Sequence, residues 1–244
     1  MEPFQNIQIL HMSDHQKIKK NIPVTTEHPL KICIDHYLFE ELMRTPGDEK
    51  ALVTGLLHSH QIISAIDELK SFSLKYSEAA DTTFISLNKP FSIYSTLNAN
   101  ARSVCCIDKK MSVSEVNECV NQLANCQPIR SKTRSTHAAI MFDQALNRLA
   151  SKEDVGRHNA LDKVIGQTIL DQTLDKAFIL VLSSRVSHEL IMKIIHTPIQ
   201  VIISVSRPTS LAVKIACRYG IHMACLSKEG GILIFSGMDY FVNI

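Results

Sequence analysis

The chain has 244 residues, of which 45% are hydrophobic and 20% are charged, and its formal net charge is +2. This composition is typical of a soluble globular protein, long enough for one large domain or two smaller ones. The small net charge excludes a strong overall field for nucleic acid or an anionic membrane, so we expect no nucleic acid and no membrane as a partner.

Cysteine usage and the N-terminal sequence indicate the compartment. The cysteines are odd in number and lack the spacing of a disulfide framework, which is typical of free thiols in a reducing environment. The sequence shows no secretory signal and no apolar run long enough to cross a bilayer. We therefore expect a cytoplasmic protein whose cysteines are free thiols, at Cys33, Cys105, Cys106, Cys119, Cys126, Cys217 and Cys225.

The first part of the chain reads mainly as strands. Residues 1–27 are polar and weakly patterned, apart from a short apolar piece at 7–10. The segment "HPLKICIDHYLFEEL" alternates apolar and polar positions, which predicts a half-buried hairpin. In "TPGDEKALVTGLLHSHQII", Asp48 is predicted to cap a helix. "DTTFISL" and "FSIYSTL" predict further strands, which lead into a loop.

That loop, "ARSVCCIDKK", carries the adjacent cysteines Cys105 and Cys106. Successive side chains of an extended backbone point to opposite faces, so neighbouring cysteines make a poor pair for one site. A disulfide between them would strain the intervening peptide, and a shared metal would need ligands from elsewhere. The stretch alone leaves a metal site, a disulfide, a reactive thiol and no role open.

A well-signalled helix follows in "SVSEVNECVNQLANCQP". Ser112 and Glu115 predict a capping box, and Pro128 is expected to end the run. Cys126 lies near the helix end without an evident partner. One apolar stripe predicts a packing face, and therefore a core role for its cysteine, at Val116, Cys119, Val120 and Leu123.

From residue 136 strands alternate with helices, which predicts an α/β sheet with helices on both sides. "THAAIMFD" and the segment leading to Glu153 predict paired strands, and "HNALDKVIGQTIL" an amphipathic helix. "SHELIMKIIHT" and "TSLAVKIACRY" predict further helices, the second ending at Gly220. Strands are predicted at "AFILVLSS", "IQVIISVS", "IHMACL" and "ILIFS". We place a strand-rich α+β domain at 1–130 and an α/β domain at 131–244.

Ligands of open α/β sheets bind beyond the carboxyl ends of the strands, where helix N-termini present free N–H groups. Three such junctions, "EDVGRHN", "SSRVSHE" and "SVSRPTS", each carry an arginine: Arg157, Arg185 and Arg207. Because guanidinium matches phosphate oxygens, the recurrence predicts a phosphate or diphosphate pocket, to which we also assign His158 and Thr209. The alternative is that each arginine lies beside an ordinary surface turn.

The segment "EDVGRHN" allows two interpretations. Glu153, Asp154 and His158 could form an acid–base pair, since carboxylates tune a histidine that titrates near neutrality. Alternatively, Asn159 or His158 caps the helix and the acids favour its N-terminal dipole.

Other histidine patterns do not match metal motifs. His137 in "THAA" lacks the glutamate and the Pro-Cys-x-x-Cys of a deaminase zinc site. His188 and His196 are eight residues apart, which excludes a metalloprotease helix. His58 and His60 are interpreted as surface or interface residues. Neither a phosphate-binding loop nor a dinucleotide-binding glycine fingerprint is present.

Five blocks in order carry a family resemblance: "TEHPLKICIDHYLFEELMRTPGDEKALVTGLL", "STHAAIMFD", "EDVGRHNALDKVIG", "SSRVSHELIMKI" and "SVSRPTSLAVKIA". From about residue 26 to the last strand, the chain resembles the FdhD family, accessory sulfurtransferases needed for active formate dehydrogenase. The resemblance implies a cytidine-deaminase-like three-layer α/β/α domain without deaminase zinc chemistry, and a homodimer. It also implies transfer of persulfide sulfur from a cysteine desulfurase to a molybdenum (or tungsten) bis-pterin guanine dinucleotide cofactor, before that cofactor enters formate dehydrogenase.

The resemblance also implies site residues. The family's sulfur-carrying loop reads Cys-Gly-x-Cys-Gly; here Cys105 matches the first cysteine, Cys106 the glycine and Asp108 the second cysteine. We expect Cys105 to be the sulfur carrier and Cys106 a possible second thiol. A chaperone that only binds and delivers the cofactor is the alternative. The family's cofactor-binding segment, for which a guanine nucleotide is the natural analogue ligand, corresponds to Leu226, Ser227, Lys228, Glu229, Gly230 and Gly231.

Overall fold

The computed structural model describes residues 1–89 and 110–243. The strands in these ranges are β1 (Phe4–Ser13), β2 (Gln16–Thr25), β3 (His28–Ile34), β4 (Tyr37–Arg44), β5 (Leu69–Lys75), β6 (Asp81–Leu87), β7 (Met111–Ser112), β8 (His137–Phe142), β9 (Arg148–Asp154), β10 (Ile179–Leu182), β11 (Val201–Ser204), β12 (His222–Leu226), β13 (Ile232–Ser236) and β14 (Phe241–Val242). The α-helices are α1 (Glu49–Ser59), α2 (Val113–Asn125), α3 (Pro128–Thr133), α4 (Arg157–Leu170), α5 (His188–Ile194) and α6 (Ser210–Arg218).

The polar segment at the N-terminus forms a long hairpin. Strands β1 and β2 pair antiparallel from Phe4 opposite Thr25 to Ser13 opposite Gln16. Most of its side chains are exposed, including Ile7 and Leu10. With so little of either face covered, the two strands carry no clean apolar alternation, which is the signal that predicts a half-buried strand. The sequence therefore gave no indication of this hairpin.

A four-stranded sheet with the order β4-β3-β6-β5 follows, and α1 covers one of its faces. The predicted hairpin at "HPLKICIDHYLFEEL" is confirmed as β3 and β4. Asp35 and His36 form its turn with φ of 44° and 75°, the positive values that a two-residue type I′ connection requires. "DTTFISL" is confirmed as β6, while β5 was not predicted. The predicted strand "FSIYSTL" lies outside the described residues.

Helix α1 begins where the sequence predicts, but the prediction that the Asp48 side chain caps it is wrong. Asp48 occupies the position before the helix in a left-handed conformation, and its side chain makes no capping hydrogen bond. Its carboxylate instead accepts a hydrogen bond from Lys152 Nζ at 2.6 Å. Glu49 Oε1 accepts the N–H of Gly47 at 2.7 Å, so the neighbouring acid stabilises the turn.

The second half confirms the predicted α/β class. Its six-stranded sheet has the order β13-β12-β11-β10-β8-β9. Strands β10, β11 and β12 are parallel, whereas β8 and β13 run antiparallel to their neighbours. One face packs against α4, α5 and α6 around Leu161, Leu190 and Ala212, and the other against α2 around Val116 and Cys119. The sheet therefore lies between two helical layers.

Helix α2 confirms the predicted capping box. Ser112 Oγ accepts the N–H of Glu115 at 3.2 Å, and Glu115 Oε2 accepts the N–H of Ser112 at 2.8 Å. The predicted stop at Pro128 is wrong, because α2 ends before Cys126 and Pro128 is the first residue of α3. Proline suits that position, where its missing N–H would have no helical partner.

The division at residue 130 stays a prediction. The helix on its N-terminal side, α2, packs against the sheet on its C-terminal side through Val116 and Cys119.

Burial raises the pKa of the Cys119 thiol to about 12, which agrees with the core role predicted for this cysteine.

Helix α4 is buried on nearly all sides, with the six-stranded sheet on one side and α1 on the other. The two helices cross at glycines. A Cβ on Gly55 would lie 1.8 Å from the carbonyl oxygen of Asp162, and a Cβ on Gly166 would lie 1.8 Å from that of Ala51. Glycine is required at both positions because the backbones are in direct contact. No helix within the described ranges is long and apolar enough to cross a membrane.

Candidate functional site

The carboxyl ends of four strands meet at one edge of the six-stranded sheet. Strand β8 is antiparallel to both β9 and β10, so these two point the same way as β11 and β12. The loops that follow β9, β10, β11 and β12 therefore lie side by side. Because β8 runs the other way, its first residue, His137, lies at this same edge, which we call the carboxyl edge.

The three arginines predicted to form an anion pocket all lie at the carboxyl edge. Arg157 is the first residue of α4 and is half-buried, whereas Arg185 and Arg207 are exposed. Arg185 and Arg207 each stand two residues before an N-cap residue, Ser187 of α5 and Thr209 of α6. The structure thus places the three residues at one edge of the sheet, and the phosphate pocket stays a prediction.

Thr209 has a local role that the sequence analysis did not assign. Its Oγ1 accepts the N–H of Ala212 at 3.4 Å, so it caps α6. The hydroxyl proton is still available to a ligand, because capping uses only the oxygen lone pair.

The segment predicted to bind the cofactor is the turn between β12 and β13. The N–H of Ser227 donates to the carbonyl of Gly231 at 3.0 Å, and the N–H of Glu229 donates to Ser227 Oγ at 3.2 Å. Gly230 and Gly231 have φ of 93° and 73°, and a Cβ on either would meet nothing within 4 Å. The turn therefore has open space around its backbone. Its remaining members, Leu226 and Lys228, lie at the same end of β12.

His137 was considered only as a zinc ligand, and the structure places it among arginines instead. Burial, then the charges of Arg130 and Arg157, lowers the pKa of its imidazole. Arg130 is oriented beside it by a 2.8 Å hydrogen bond from Nη1 to the carbonyl of Thr136. Local sequence patterns carry no signal for this cluster, because only the antiparallel direction of β8 brings His137 to the carboxyl edge.

The acids of "EDVGRHN" bind the protein itself and do not form an acid–base pair. Asp154 accepts hydrogen bonds from Gly156 N (2.9 Å), Asn159 Nδ2 (3.0 Å) and Thr45 N (3.2 Å), and its Oδ2 lies 2.7 Å from Lys163 Nζ. The predicted cap by Asn159 or His158 is wrong. The N-cap position is Gly156, and Asp154 holds it in place.

Glu153 faces the opposite direction. Its carboxylate accepts the N–H groups of Ile129 and Arg130 at 2.9 and 2.7 Å, and also the hydroxyl of Thr136. It therefore satisfies the first turn of α3, where helical N–H groups lack partners.

His158 links two helix starts at the carboxyl edge. Its Nε2 lies 3.3 Å from Glu189 Oε2 on α5. Burial, then the charges of Arg157 and Lys193, lowers the pKa of the imidazole, and Glu189 partly opposes this.

Cys105, Cys106 and Asp108 lie outside the described residues, so their predicted roles are not tested by the geometry. Among the described cysteines, Cys225 is nearest the candidate site, at the end of β12 and fully buried. Burial raises the pKa of its thiol, and the charge of Arg207 partly opposes the shift.

Two further predictions made from the sequence need correction. Cys126, for which no partner was evident, accepts a hydrogen bond from Arg148 Nη1 at 3.0 Å. His58, interpreted as a surface or interface residue, is buried within the chain, and its Nε2 is 3.2 Å from the carbonyl oxygen of His196. His60 is exposed, as predicted.

The carboxyl edge as a whole carries groups that favour anions. It combines three arginines, the N-terminus of the fourteen-residue helix α4 and an open glycine turn. Helix N-termini and guanidinium groups both favour phosphate oxygens. A diphosphate-bearing nucleotide therefore fits the residues present.

Comparison with known proteins gives consistent matches. The model of the FdhD/NarQ family matches residues 25–241. The chain is 32% identical to a sulfur carrier protein FdhD of Sulfurisphaera tokodaii, over 87% of this chain and 89% of the relative. It is 28% identical to one of Mycolicibacterium paratuberculosis, over 95% and 96%.

A solved structure also matches. A crystal structure assigned to a formate dehydrogenase accessory protein of Desulfotalea psychrophila superposes with a TM-score of 0.80 at 19% identity, covering 98% of this chain and 99% of that one. At this level of identity the match shows that the two proteins share a fold.

Proposed function

The chain belongs to the FdhD/NarQ family, and from this membership we propose that it is a sulfur carrier protein that serves the maturation of formate dehydrogenase. The finer proposal is that it accepts persulfide sulfur from a cysteine desulfurase. It then passes that sulfur to a molybdenum (or tungsten) bis-pterin guanine dinucleotide cofactor, which is its substrate. We propose that it acts as a homodimer in the cytoplasm, as a sulfurtransferase-type accessory protein.

The placement of Arg157, Arg185, Arg207 and the open turn at Gly230 and Gly231 along one edge of the sheet carries this proposal. A guanine dinucleotide presents a diphosphate, and arginine forks are groups that bind one. The tight turn needs glycine, because both φ values are positive.

Sulfur transfer requires one nucleophilic thiolate, for which we propose Cys105. The thiolate attacks the outer sulfur of the desulfurase persulfide, the donor cysteine leaves as a thiolate, and the new persulfide remains on Cys105. Arg102, Lys109 and Lys110 are its cationic neighbours in sequence, and cations favour the thiolate. Asp108, in place of the family's second cysteine, cannot resolve that persulfide as a disulfide.

The experiment is to incubate the protein with a cysteine desulfurase and cysteine, and then to measure peptide masses. We expect the mass of one additional sulfur atom on the peptide that contains Cys105 and Cys106. The Cys105→Ser variant should lose it, and the Cys106→Ser variant is the matched control and should keep it. An unmodified wild-type peptide, or loss only in Cys106→Ser, would contradict the proposal.

The missing second cysteine favours one alternative, a chaperone that binds and delivers the guanine dinucleotide cofactor without transferring sulfur. The Cys105→Ala variant separates the two in cells that lack the native chain. Lost formate dehydrogenase activity with unchanged binding of guanosine diphosphate supports sulfur transfer. Full formate dehydrogenase activity supports the chaperone.

A further inference from the structure

Three buried polar atoms at one end of the carboxyl edge have no hydrogen-bond partner within the described residues. They are Nδ1 of His137, Nε of Arg157 and Oγ of Ser187. These residues begin β8, begin α4 and cap α5, which follow one another at the end of the sheet formed by β9, β8 and β10. A buried polar atom left unsatisfied costs about 1 to 3 kcal/mol, so three such atoms together indicate a missing partner.

Neighbouring groups connect the elements that carry these atoms. The charge of Arg157 acts on His137, together with that of Arg130. The pair of His158 with Glu189, at 3.3 Å, joins the first turn of α4 to the first turn of α5. His137, paired with Asp154 across the sheet, therefore lies close to Arg157, and Ser187 precedes the helix whose first turn is joined to that of α4.

The unbalanced charge of the cluster is positive. Asp154 is neutralised by Lys163 at 2.7 Å, and Glu153 is held by the N–H groups of α3. Glu189 has a side chain that is 68% exposed and faces His158 at the rim. Within residues 1–89 and 110–243, neither Arg130 nor Arg157 has a carboxylate within salt-bridge distance. The missing partner is therefore an anion.

The three groups belong to three different elements of the carboxyl edge, since His137 begins β8, Arg157 begins α4 and Ser187 occupies the N-cap position of α5. A planar carboxylate is bound best by the parallel N–H groups of a single guanidinium fork, whereas a tetrahedral oxyanion offers oxygens in several directions. We propose that His137, Arg157 and Ser187 form a subsite, which we call the inner anion subsite, for one tetrahedral dianion of the phosphate class.

The inner anion subsite is separate from the turn at 226–231. From β8 the sheet passes through β10 and β11 to β12, which is three strand spacings or about 14 Å. A single phosphate group cannot contact both places. The assignment to a nucleotide phosphate rests on the proposed function, in which a bis-guanine dinucleotide would bring two diphosphates to the edge. The subsite itself is inferred from the cluster alone.

The test is calorimetric titration of the full chain with inorganic phosphate, sulfate and acetate. We expect phosphate and sulfate to bind and acetate not to bind. Arg157→Gln and His137→Leu should each weaken phosphate binding by about tenfold or more, the effect of losing one charge-assisted or buried hydrogen bond. Arg218→Gln, which removes an exposed arginine of α6, is the matched control and should bind phosphate like the wild type.

Phosphate affinity unchanged in Arg157→Gln and His137→Leu would overturn the inference, as would a loss confined to Arg207→Gln at the other end of the edge. Should either variant fail to fold, the wild-type chain still gives an answer. The Nδ1 resonance of His137 in ¹⁵N spectra must shift on addition of sulfate, and an unmoved resonance under saturating sulfate overturns the inference.

The outcomes remain distinguishable from those of the proposed function. Sulfate binding that depends on Arg157, in a chain that acquires no sulfur on Cys105, supports the inner anion subsite and rejects the sulfur carrier. Sulfur transfer with sulfate affinity equal in Arg157→Gln and wild type supports the carrier and rejects the subsite.

Discussion

Lys163 Nζ lies 2.7 Å from Asp154 Oδ2, with side-chain exposures of 2% and 0%. The same ammonium donates to the carbonyl of Thr45 at 3.0 Å, and the N–H of Thr45 donates to Asp154 at 3.2 Å. The pair therefore joins α4 to the end of β4. Its net contribution is small when intact, but removing one partner leaves a buried charge without compensation.

We expect Lys163→Met to lower the free energy of unfolding by about 3 to 5 kcal/mol, because it leaves the buried Asp154 carboxylate without its cationic partner. Lys152→Met is the matched control. Its partner Asp48 is 43% exposed, so the loss should be below about 1 kcal/mol. Urea unfolding followed by circular dichroism measures both, and equal losses would show that burial of the pair does not matter.

The crossing of α1 and α4 should not accept a methyl group. A Cβ at Gly166 would meet the carbonyl oxygen of Ala51 at 1.8 Å, so Gly166→Ala must push the helices apart. We expect a loss of about 3 kcal/mol or more, at the upper end for overpacking. Gln167→Ala, on the same helix, removes a side chain that donates to Asp171 one turn on and should lose less than about 0.5 kcal/mol. Similar melting temperatures for the two variants would contradict the close contact.

Stability should fall on mild acidification. Burial lowers the pKa of His58, partly opposed by hydrogen bonds to the backbone of His196 and Ile63, and burial also lowers the pKa of His196. A histidine whose pKa is lower in the folded state takes up a proton on unfolding. Its contribution to the free energy of unfolding is therefore fully present above the pKa of histidine in the unfolded chain, about 6.5. This contribution is lost as the pH falls below that pKa.

His58→Gln keeps a donor for the carbonyl of His196 and should flatten this pH dependence between about pH 7.5 and 5.5. The exposed His60→Gln is the control for losing a histidine from the same end of α1. Thermal melts across this range give the answer. A wild-type slope in His58→Gln would place the sensitivity elsewhere, for example at His137 or His158, whose pKa values are lowered in the same direction.

Gly231→Ala should weaken binding of guanosine diphosphate by about fivefold or more. A residue with a Cβ pays about 1 to 2 kcal/mol to adopt the positive φ of this turn, so the turn should lose the geometry that we propose for ligand binding. Gly47→Ala is matched in backbone strain, because its φ is 107° and open space also surrounds it, but it lies away from the turn. It should cost comparable stability and leave nucleotide affinity unchanged. Equal affinities in both variants would remove the turn from the site.

Elements with local signals were predictable from the sequence. Helix α2 carries its own cap in Ser112 and Glu115, and the buried strands β10 and β11 are short continuous apolar runs. The β1–β2 hairpin has no such signal, because its side chains are largely exposed. The mechanism at Asp48 was missed because its partner, Lys152, is 104 residues away.

The residues of the candidate site likewise fall into those with a local sequence signal and those without one. The arginines at 157, 185 and 207 could be found because each stands at a predicted strand-to-helix junction. The role of Asn159 could not, because its amide donates to the carbonyl of Met43 at a separation of 116 residues. His137 required the order and direction of the strands, which local periodicity does not contain.

The position of α4 between α1 and the six-stranded sheet bears on how the molecule folds. Both halves of the chain pack against this helix. Its Gly166 contacts α1 of the first half, and its Leu161 and Val164 belong to the core of the second half. The chain should therefore unfold as one cooperative unit, with the backbone amides of α4 among the slowest to exchange with deuterium. Fragments 1–130 and 131–244 expressed separately would each expose the surface where α1 packs against α4. We therefore expect them to fold only when mixed.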